Sequence, residues 1–339
     1  MKYDKIITMK EVLLQKNTKS GIKCLNCAQL CTLQEKEFGK CGMRQVKNGE
    51  LKVHNYGKVE VINIDPIEKK PIYHFLPGTK TLSFSASGCS FKCKNCQNWR
   101  LSQKNNGQTA GKFIYPEEMI EMALKKKVKS ISYTYGEPII FLEYALDVMK
   151  VAQKKGIKNI WVTNGYFSDQ SLKIISPYID AINIDLKSFS DNFYRTVCDG
   201  RIQPVLNSIK KIYRTSWLEI TTLIIPNLND SSEELNQIAT FIADINKNIP
   251  WHILKFSSKL AKNMNHPNTP EKTIEKAYKI GKKAGLNHIY PGNTVTDKMN
   301  TYCHNCGELI IERNGYRTQI HSEKIICKNC KQKINLILK

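Results

Sequence analysis

The chain of 339 residues has room for one large domain with appendages or for two ordinary domains. No apolar run approaches the roughly 18 residues of a membrane span. The first twenty residues lack the apolar core and cleavage site of a secretory signal. We therefore expect a cytoplasmic protein without a membrane partner. The formal net charge of +22 comes mostly from lysines spread along the chain. This favours compositional bias over a nucleic-acid surface, with a docking surface for an acidic electron carrier as the second interpretation.

The twelve cysteines divide the chain into three parts. In a reducing compartment they indicate metal ligation rather than disulfides. We predict an N-terminal four-cysteine module over residues 1–78, a central core over residues 79–295 and a C-terminal module over residues 296–339.

The N-terminal module contains the four cysteines that we call the N-terminal quartet: Cys24, Cys27, Cys31 and Cys41. Four thiolates can bind zinc or an iron–sulfur cluster. Zinc is the first interpretation, an auxiliary cluster the second, and unligated or redox-active cysteines the third.

The central core alternates short apolar, β-branched segments with amphipathic segments of helical period. Strands are predicted over 82–88, 129–134, 159–163, 181–185, 218–224 and 251–255, and helices over 116–127, 140–155, 169–177, 202–214, 231–246 and 270–284. Six successive βα units predict an α/β fold, with a parallel sheet curled into a partial (β/α)6 barrel. In such folds the chemistry lies at the C-terminal ends of the strands.

Three cysteines, Cys89, Cys93 and Cys96, follow the first predicted strand with the spacing C-x3-C-x2-C. Thiolates normally ligate all four irons of a 4Fe–4S cluster, so three cysteines leave one iron open. The amino and carboxylate groups of S-adenosylmethionine (SAM) can chelate that iron, and the cluster can then cleave SAM reductively. The competing interpretation is a zinc knuckle without its fourth ligand.

Cys198 lies beyond the fourth predicted strand, near the expected mouth of the barrel. It is either a buried structural thiol or a hydrogen-atom donor or radical relay that faces the substrate.

The C-terminal module carries the four cysteines that we call the ribbon quartet: Cys303, Cys306, Cys327 and Cys330. Two C-x2-C pairs separated by twenty residues are typical of a structural zinc ribbon, with rubredoxin-like iron as the alternative.

Motifs along almost the whole chain resemble those of a known family. They are GIKCLNCAQLCTLQEKEFGKCGMR, DPIEKKPIYHFLPG, GCSFKCKNCQNW, YTYGEP, VTNGY, NIDLKS with YRTVCDG, PWHILKF and YPGNTVTDKMNTYCHNCGELI. Together they are similar to the radical SAM enzymes of the pyruvate formate-lyase activating type, and most closely to the radical SAM component of the AmmeMemoRadiSam system. This resemblance implies a radical SAM barrel, an oxidoreductase activity, and flavodoxin or ferredoxin as electron donor.

The resemblance also implies residues that bind SAM. Gly136 and Glu137 match the turn that receives the methionyl amino group, although Tyr135 replaces its first glycine. Thr163 and Asn164 match the loop near the SAM carboxylate, where Val162 stands in place of the family's aspartate.

Three further residues match family positions, namely Asp185, Lys187 and His252. Lys187 can neutralise the SAM carboxylate, Asp185 can orient Lys187 or a ribose hydroxyl, and His252 can face SAM and donate a hydrogen bond. Without the resemblance, the same residues read as a surface ion pair and a hydrogen-bonded core histidine. Asn95 stands where the family usually has an aromatic residue, so the adenine loses apolar cover.

The predicted function is reductive cleavage of SAM to a 5′-deoxyadenosyl radical that abstracts hydrogen from an unidentified small-molecule or partner-bound substrate. AMMECR-like and Memo-like proteins are the partners that the resemblance implies. Activation of a glycyl radical enzyme is the first alternative and RNA modification the second. A zinc-ribbon nucleic-acid binder with a degenerate barrel is the non-enzymatic alternative.

Overall fold

The computed structural model describes residues 9–294, 296–322 and 325–339. The first eight residues of the predicted N-terminal module, which include part of the segment examined for a secretory signal, lie outside the described residues. So does Val295, the predicted end of the central core.

One sheet of eight strands forms the centre of the molecule. Its strands are β1 (Val61–Pro66), β2 (Lys80–Ser85), β3 (Ser130–Tyr133), β4 (Lys158–Thr163), β5 (Ala181–Asp185), β6 (Trp217–Ile224), β7 (Trp251–Lys255) and β8 (Ile289–Gly292). They lie side by side in chain order; β2 to β8 are parallel and β1 is antiparallel to β2. The six predicted strands are confirmed. The described sheet is open, with β1 and β8 at its edges, so closure into a barrel is not confirmed.

Six helices connect the parallel strands, as predicted. They are α1 (Pro116–Lys125), α2 (Leu142–Lys154), α3 (Asp169–Ile175), α4 (Ile202–Ile212), α5 (Ser232–Ile245) and α6 (Glu271–Lys283). Ser231 caps the N-terminus of α5, and its hydroxyl accepts from the Glu234 N–H at 3.1 Å. In the described part of the chain, no helix is long and apolar enough to cross a membrane.

Short helical turns complete the core. They are α-helical at Trp99–Ser102 and Asp191–Phe193, π-helical at Tyr194–Cys198, and 3-10 at Ile67–Lys69, Pro138–Phe141, Ser176–Tyr178, Ser258–Leu260 and Asp297–Met299.

The N-terminal module consists of small antiparallel sheets that pack at the C-terminal edge of the central sheet. Its strands are Lys10–Glu11, Gln15–Thr18, Gly21–Cys24, Thr32–Leu33, Arg44–Lys47, Glu50–Val53 and Lys58–Val59, the last paired with Lys112–Phe113. The Gln29 amide donates to the Ser90 carbonyl at 2.9 Å, and the Ala28 N–H donates to the Tyr166 carbonyl at 3.1 Å. A buried ion pair, Arg44 with Glu143 at 2.7 Å, joins the module to α2.

Residues 67–76, which we call the plug, cover one face of the sheet near the strand starts. Their apolar side chains pack with Ile160, Ala181 and Trp217, and the Pro71 carbonyl accepts from the Asn183 amide at 2.7 Å. Successive side chains of a strand alternate between faces, so Asn183 and Asp185 share the face that the plug covers.

The C-terminal module packs against the plug. Its strands are Thr301–Tyr302, Leu309–Asn314 and Arg317–Ile320. The Arg313 guanidinium donates to the Tyr73 carbonyl at 2.8 Å, and the Ile337 N–H donates to the His74 carbonyl at 2.8 Å. The two cysteine modules therefore pack against different parts of the central sheet.

Candidate active site

The loop after β2, residues 86–98, carries Cys89, Cys93 and Cys96, and we call it the cluster loop. Gly88 has a φ of +107°, and a Cβ there would lie 2.6 Å from the Met43 side chain, so this position of the loop requires glycine. The Asn164 amide donates to the Ser90 hydroxyl at 3.0 Å and lies 3.6 Å from the Cys89 sulfur. The end of β4 thus positions the start of the loop.

Cys93 and Cys96 each have a polar neighbour from outside the three-cysteine motif. Cys93 lies beside the fully buried Cys198, and this neighbouring thiol together with burial raises the pKa of Cys93 well above its usual range. Cys96 lies 3.2 Å from the Ser102 hydroxyl. The structure therefore places Cys198 at the cluster loop. This position is compatible with a buried structural thiol and with a hydrogen-atom donor or radical relay.

Lys187 and Asp185 form an ion pair at the end of β5, with 2.8 Å between Nζ and Oδ2. The charges of both residues act on the Cys93 thiol, and that of Lys187 also acts on Cys96. The pair therefore lies within electrostatic reach of the cluster loop.

Glu137 joins the ends of β3 and β4. Its carboxylate accepts from the Thr163 hydroxyl at 2.6 Å and from the Asn164 N–H at 2.9 Å. Burial raises the pKa of Glu137 to about 7, although both of these donors favour the ionised form. A cation that binds beside this carboxylate would stabilise its charge, which suits an amino group.

Gly136 precedes Glu137 in the tight turn after β3. Its N–H donates to the Ser85 hydroxyl at 3.0 Å, and a Cβ on Gly136 would lie 2.8 Å from that hydroxyl and 2.9 Å from the Ala86 carbonyl. Tyr135, which replaces the family's first glycine, adopts a φ of +64°. The turn keeps its left-handed backbone despite the substitution.

His252 is buried on the face that the plug covers. Its Nε2 lies 2.7 Å from the Glu219 carboxylate, and its ring contacts those of Tyr73 and Tyr290. These partners belong to the plug and to neighbouring strands rather than to the cluster loop. The contacts favour the interpretation of His252 as a hydrogen-bonded core histidine.

The cluster loop has the properties that a 4Fe–4S cluster with one open iron needs. It supplies one buried thiol, Cys93, and two partly buried thiols, Cys89 and Cys96. Close by, the Lys92 ammonium and the Asn95 side-chain carbonyl are buried without a hydrogen-bond partner in the described structure. Unpartnered buried polar groups are costly in a finished core, and the Lys92 charge is suited to compensate an anionic thiolate cluster. The residues present therefore fit such a group.

The ribbon quartet forms a compact four-thiol group. All four sulfur atoms lie within 4.8 Å of one another. The Cys303–Cys330 and Cys306–Cys327 distances are both 3.6 Å. A tetrahedral ion with metal–sulfur bonds of about 2.3 Å places its ligands about 3.8 Å apart. The predicted metal site is thereby supported, and the geometry suits a single ion.

Sequence reasoning missed Glu219, Lys92 and Ser102. Glu219 is a fully buried carboxylate in β6 that accepts the backbone N–H groups of Tyr73 and His74. A lone acid within the apolar run WLEITTLI was a signal that could have revealed it. Lys92 and Ser102 gave no such signal, since both are polar residues in a polar segment.

A parallel α/β core with a three-cysteine loop at the C-terminal edge of its first parallel strand is the arrangement expected of an iron–sulfur enzyme of the SAM-cleaving class. The sequence matches the Radical SAM superfamily over residues 84–242, so the central core of the chain contains a radical SAM domain.

Individual relatives extend this similarity. An uncharacterized protein of Methanocaldococcus jannaschii is 37% identical over 337 residues, which cover 97% of this chain and all of that protein. The pyruvate formate-lyase-activating enzyme of Clostridium pasteurianum is 25% identical over 195 residues, or 52% of this chain and 77% of that enzyme. A crystal structure of a domain of the pyruvate-formate lyase-activating enzyme from Bacteroides vulgatus covers 48% of this chain and 99% of that domain, with a TM-score of 0.43 and 20% identity.

Proposed function

We propose that the protein binds a 4Fe–4S cluster through Cys89, Cys93 and Cys96 and uses it to cleave SAM. When bound, the cluster supplies the electron that breaks SAM into methionine and a 5′-deoxyadenosyl radical. The radical abstracts a hydrogen atom from a small-molecule or partner-bound substrate. The observation that carries the proposal is the convergence of polar groups from β3, β4 and β5 on the edge of the sheet that holds the cluster loop.

The residues around the loop would bind and orient SAM. Glu137 would accept hydrogen bonds from the SAM ammonium, held in place by Thr163 and Asn164. Lys187 would neutralise the SAM carboxylate, and Asp185 would keep Lys187 oriented. His252 would support the SAM site only indirectly, by holding Glu219 and the plug in place. Cys198 would serve as a hydrogen-atom donor or relay.

Partners and the second metal complete the proposal. A flavodoxin or ferredoxin would supply electrons, and the excess of basic residues on this chain would suit such an acidic protein. AMMECR-like and Memo-like proteins would supply or hold the substrate. The ribbon quartet would hold structural zinc, because its thiols approach as closely as a tetrahedral ion requires.

Activation of a glycyl radical enzyme is the second candidate. It is supported by the similarity to two activating enzymes, the pyruvate formate-lyase-activating enzyme already described and an isethionate sulfite-lyase activating enzyme that is 23% identical over 184 residues.

The two candidates differ in where the hydrogen atom comes from. Anaerobically reconstituted protein would be incubated with SAM, a reductant and each candidate partner, in solvent or substrate labelled with deuterium. The main proposal predicts deuterium transfer from a small molecule or a partner-bound metabolite into 5′-deoxyadenosine. The activase predicts a stable glycyl radical signal on the partner by electron paramagnetic resonance (EPR). Absence of 5′-deoxyadenosine under all conditions would contradict both.

A further inference from the structure

The three sets of cysteines differ in how closely their thiols approach. Among the described residues, the ribbon quartet is the group of three or more possible ligands whose atoms all lie within 4.8 Å of one another. The three cysteines of the cluster loop do not meet that limit, and neither do any three members of the N-terminal quartet. A single tetrahedral ion needs its sulfur ligands about 3.8 Å apart, whereas a cubane core separates its ligands more widely because each thiolate binds a different iron.

The N-terminal quartet nevertheless surrounds one site. All four thiols line a single cavity together with Asn26, Arg44 and Ile140. Cys24, Cys27 and Cys41 are buried and Cys31 is partly buried. Each thiol lies close enough to the others to interact electrostatically. Convergence around a common cavity indicates a shared ligand, and the wide spacing indicates a ligand larger than one ion.

The surroundings of this cavity are suited to an anionic group. The Arg44 guanidinium is buried beside Cys24 and Cys41. Glu143 pairs with its terminal nitrogens, while its Nε has no hydrogen-bond partner in the described structure. Asn26 is also fully buried, and its side-chain carbonyl has no described partner. A cluster with four thiolate ligands carries net negative charge, and a buried guanidinium offsets part of the cost of that charge.

The cavity also lies next to the cluster loop. The Cys41 carbonyl is so close to Gly88 that a Cβ on Gly88 would lie 3.2 Å from it. The buried Lys92 ammonium is within electrostatic reach of both Cys41 and Cys89. The charge of one lysine therefore acts on cysteines of both sets.

We propose that Cys24, Cys27, Cys31 and Cys41 hold a second 4Fe–4S cluster rather than zinc. Four thiolates would occupy all four irons, so this cluster would have no open iron with which to chelate SAM. Its chemistry would be one-electron transfer. A flavodoxin- or ferredoxin-type donor would reduce it by one electron, and it would return to its oxidised state by passing that electron to the cluster loop.

Metal and sulfide counts on full-length protein, reconstituted anaerobically with iron and sulfide, test the proposal. The parent should contain about eight irons per chain and about one zinc. The Cys89→Ala/Cys93→Ala/Cys96→Ala variant should keep about four irons and an EPR signal that SAM does not shift. The Cys24→Ser/Cys27→Ser variant should keep about four irons in the cluster loop. As a matched control, Cys303→Ser should lose zinc and no iron.

The Cys89→Ala/Cys93→Ala/Cys96→Ala triple variant distinguishes a second cluster from zinc even if the Cys24→Ser/Cys27→Ser variant does not fold. A parent with about four irons and about two zincs, together with a triple variant free of iron, would overturn the proposal. The proposed function fails separately: it fails if the parent does not cleave SAM, whatever its iron count.

Discussion

The two ends of the central sheet differ in how their buried polar groups are satisfied. At the end with the plug, the Glu219 carboxylate accepts the N–H groups of Tyr73 and His74 at 2.8 to 3.0 Å and that of the Trp217 ring at 3.1 Å, and it lies 2.7 Å from His252. At the end with the cluster loop, the Lys92 ammonium and the Asn95 carbonyl are buried without a described partner. At the plug end the Glu219 carboxylate is fully hydrogen bonded, although single atoms of Glu68 and Arg313 there also lack a described partner. At the cluster end the unpartnered groups include a whole ammonium beside the three thiols, which leaves a charge for a ligand.

This difference assigns stability to one end and chemistry to the other. In parallel α/β folds, polar residues at the C-terminal ends of strands serve function and those at the opposite end serve the fold. Changes in the ribbon and plug should therefore alter folding, and changes around the cluster loop should alter SAM cleavage.

The largest effect on folding should come from the ribbon quartet. Binding of a structural zinc contributes on the order of 10–16 kcal/mol in small metal-bound modules, so Cys303→Ser should lose the ion and unfold the ribbon. The plug would then lose the contacts of Arg313 and Ile337. We expect less soluble protein and a lower thermal midpoint, with SAM cleavage retained by the folded fraction. Cys198→Ser, outside the ribbon, is the control that should keep zinc; equal stability and zinc content in Cys303→Ser would refute this assignment.

An intermediate effect, confined to activity, should come from Lys187→Ala. Loss of a charge-assisted contact costs on the order of 1.5–3 kcal/mol, or roughly ten- to a hundred-fold in SAM affinity or rate. Iron content and visible absorbance should match the parent, because Lys187 is not a cluster ligand. Lys211→Ala is the matched control, since it removes an exposed ion pair with Asp169.

Asp185→Ala should follow Lys187→Ala with a smaller loss, and His252→Ala should lower stability more than SAM affinity. Parent-like SAM binding and cleavage in both Lys187→Ala and Asp185→Ala would mean that the two residues form only an ion pair. If the His252→Ala variant is as stable as the parent but binds SAM weakly, His252 is a SAM-binding residue rather than a core histidine.

The last effect, present only below about pH 6.5, should be a pH dependence at the plug. Burial lowers the pKa of His74 to about 3, below its value of about 6.5 in an unfolded chain. The unfolded state therefore binds the extra proton first, and stability present above about pH 6.5 falls as the pH drops toward 3, by about 1.4 kcal/mol per pH unit.

His74→Gln should remove this contribution. Unfolding free energies of parent and variant, measured between about pH 7 and about pH 5, should converge as the pH falls. A constant difference across that range would show that the His74 side chain does not titrate with folding.

The sequence predicts the parallel core well because its signals are local. Each of the six predicted strands is a short β-branched run, and each helix shows an apolar face. Strand β8 escaped prediction because its four residues end in Pro291 and Gly292, which read as a turn. The environment of His252 was not predictable, since Glu219 and Tyr73 are distant in sequence and meet only in the folded sheet.

The cysteine modules also show that contacts between residues distant in sequence cannot be predicted from spacing. Spacing alone predicts the ribbon quartet, because two tight C-x2-C turns require one small ion. Spacing leaves the N-terminal quartet open between zinc and a cluster, because Cys41 lies ten residues beyond Cys31 and the separation of the thiols depends on the fold. The contact of Cys41 with the cluster loop is likewise a property of the folded chain.

The central claim is that Cys89, Cys93 and Cys96 hold the cluster that cleaves SAM. The most direct measurement is the EPR spectrum of the reduced, reconstituted Cys24→Ser/Cys27→Ser variant with and without SAM, combined with 5′-deoxyadenosine analysis of the parent and the triple alanine variant. We predict a 4Fe–4S signal that shifts when SAM is added, and 5′-deoxyadenosine from the parent alone. A signal insensitive to SAM, or 5′-deoxyadenosine from the variant that lacks all three cysteines, would contradict the claim.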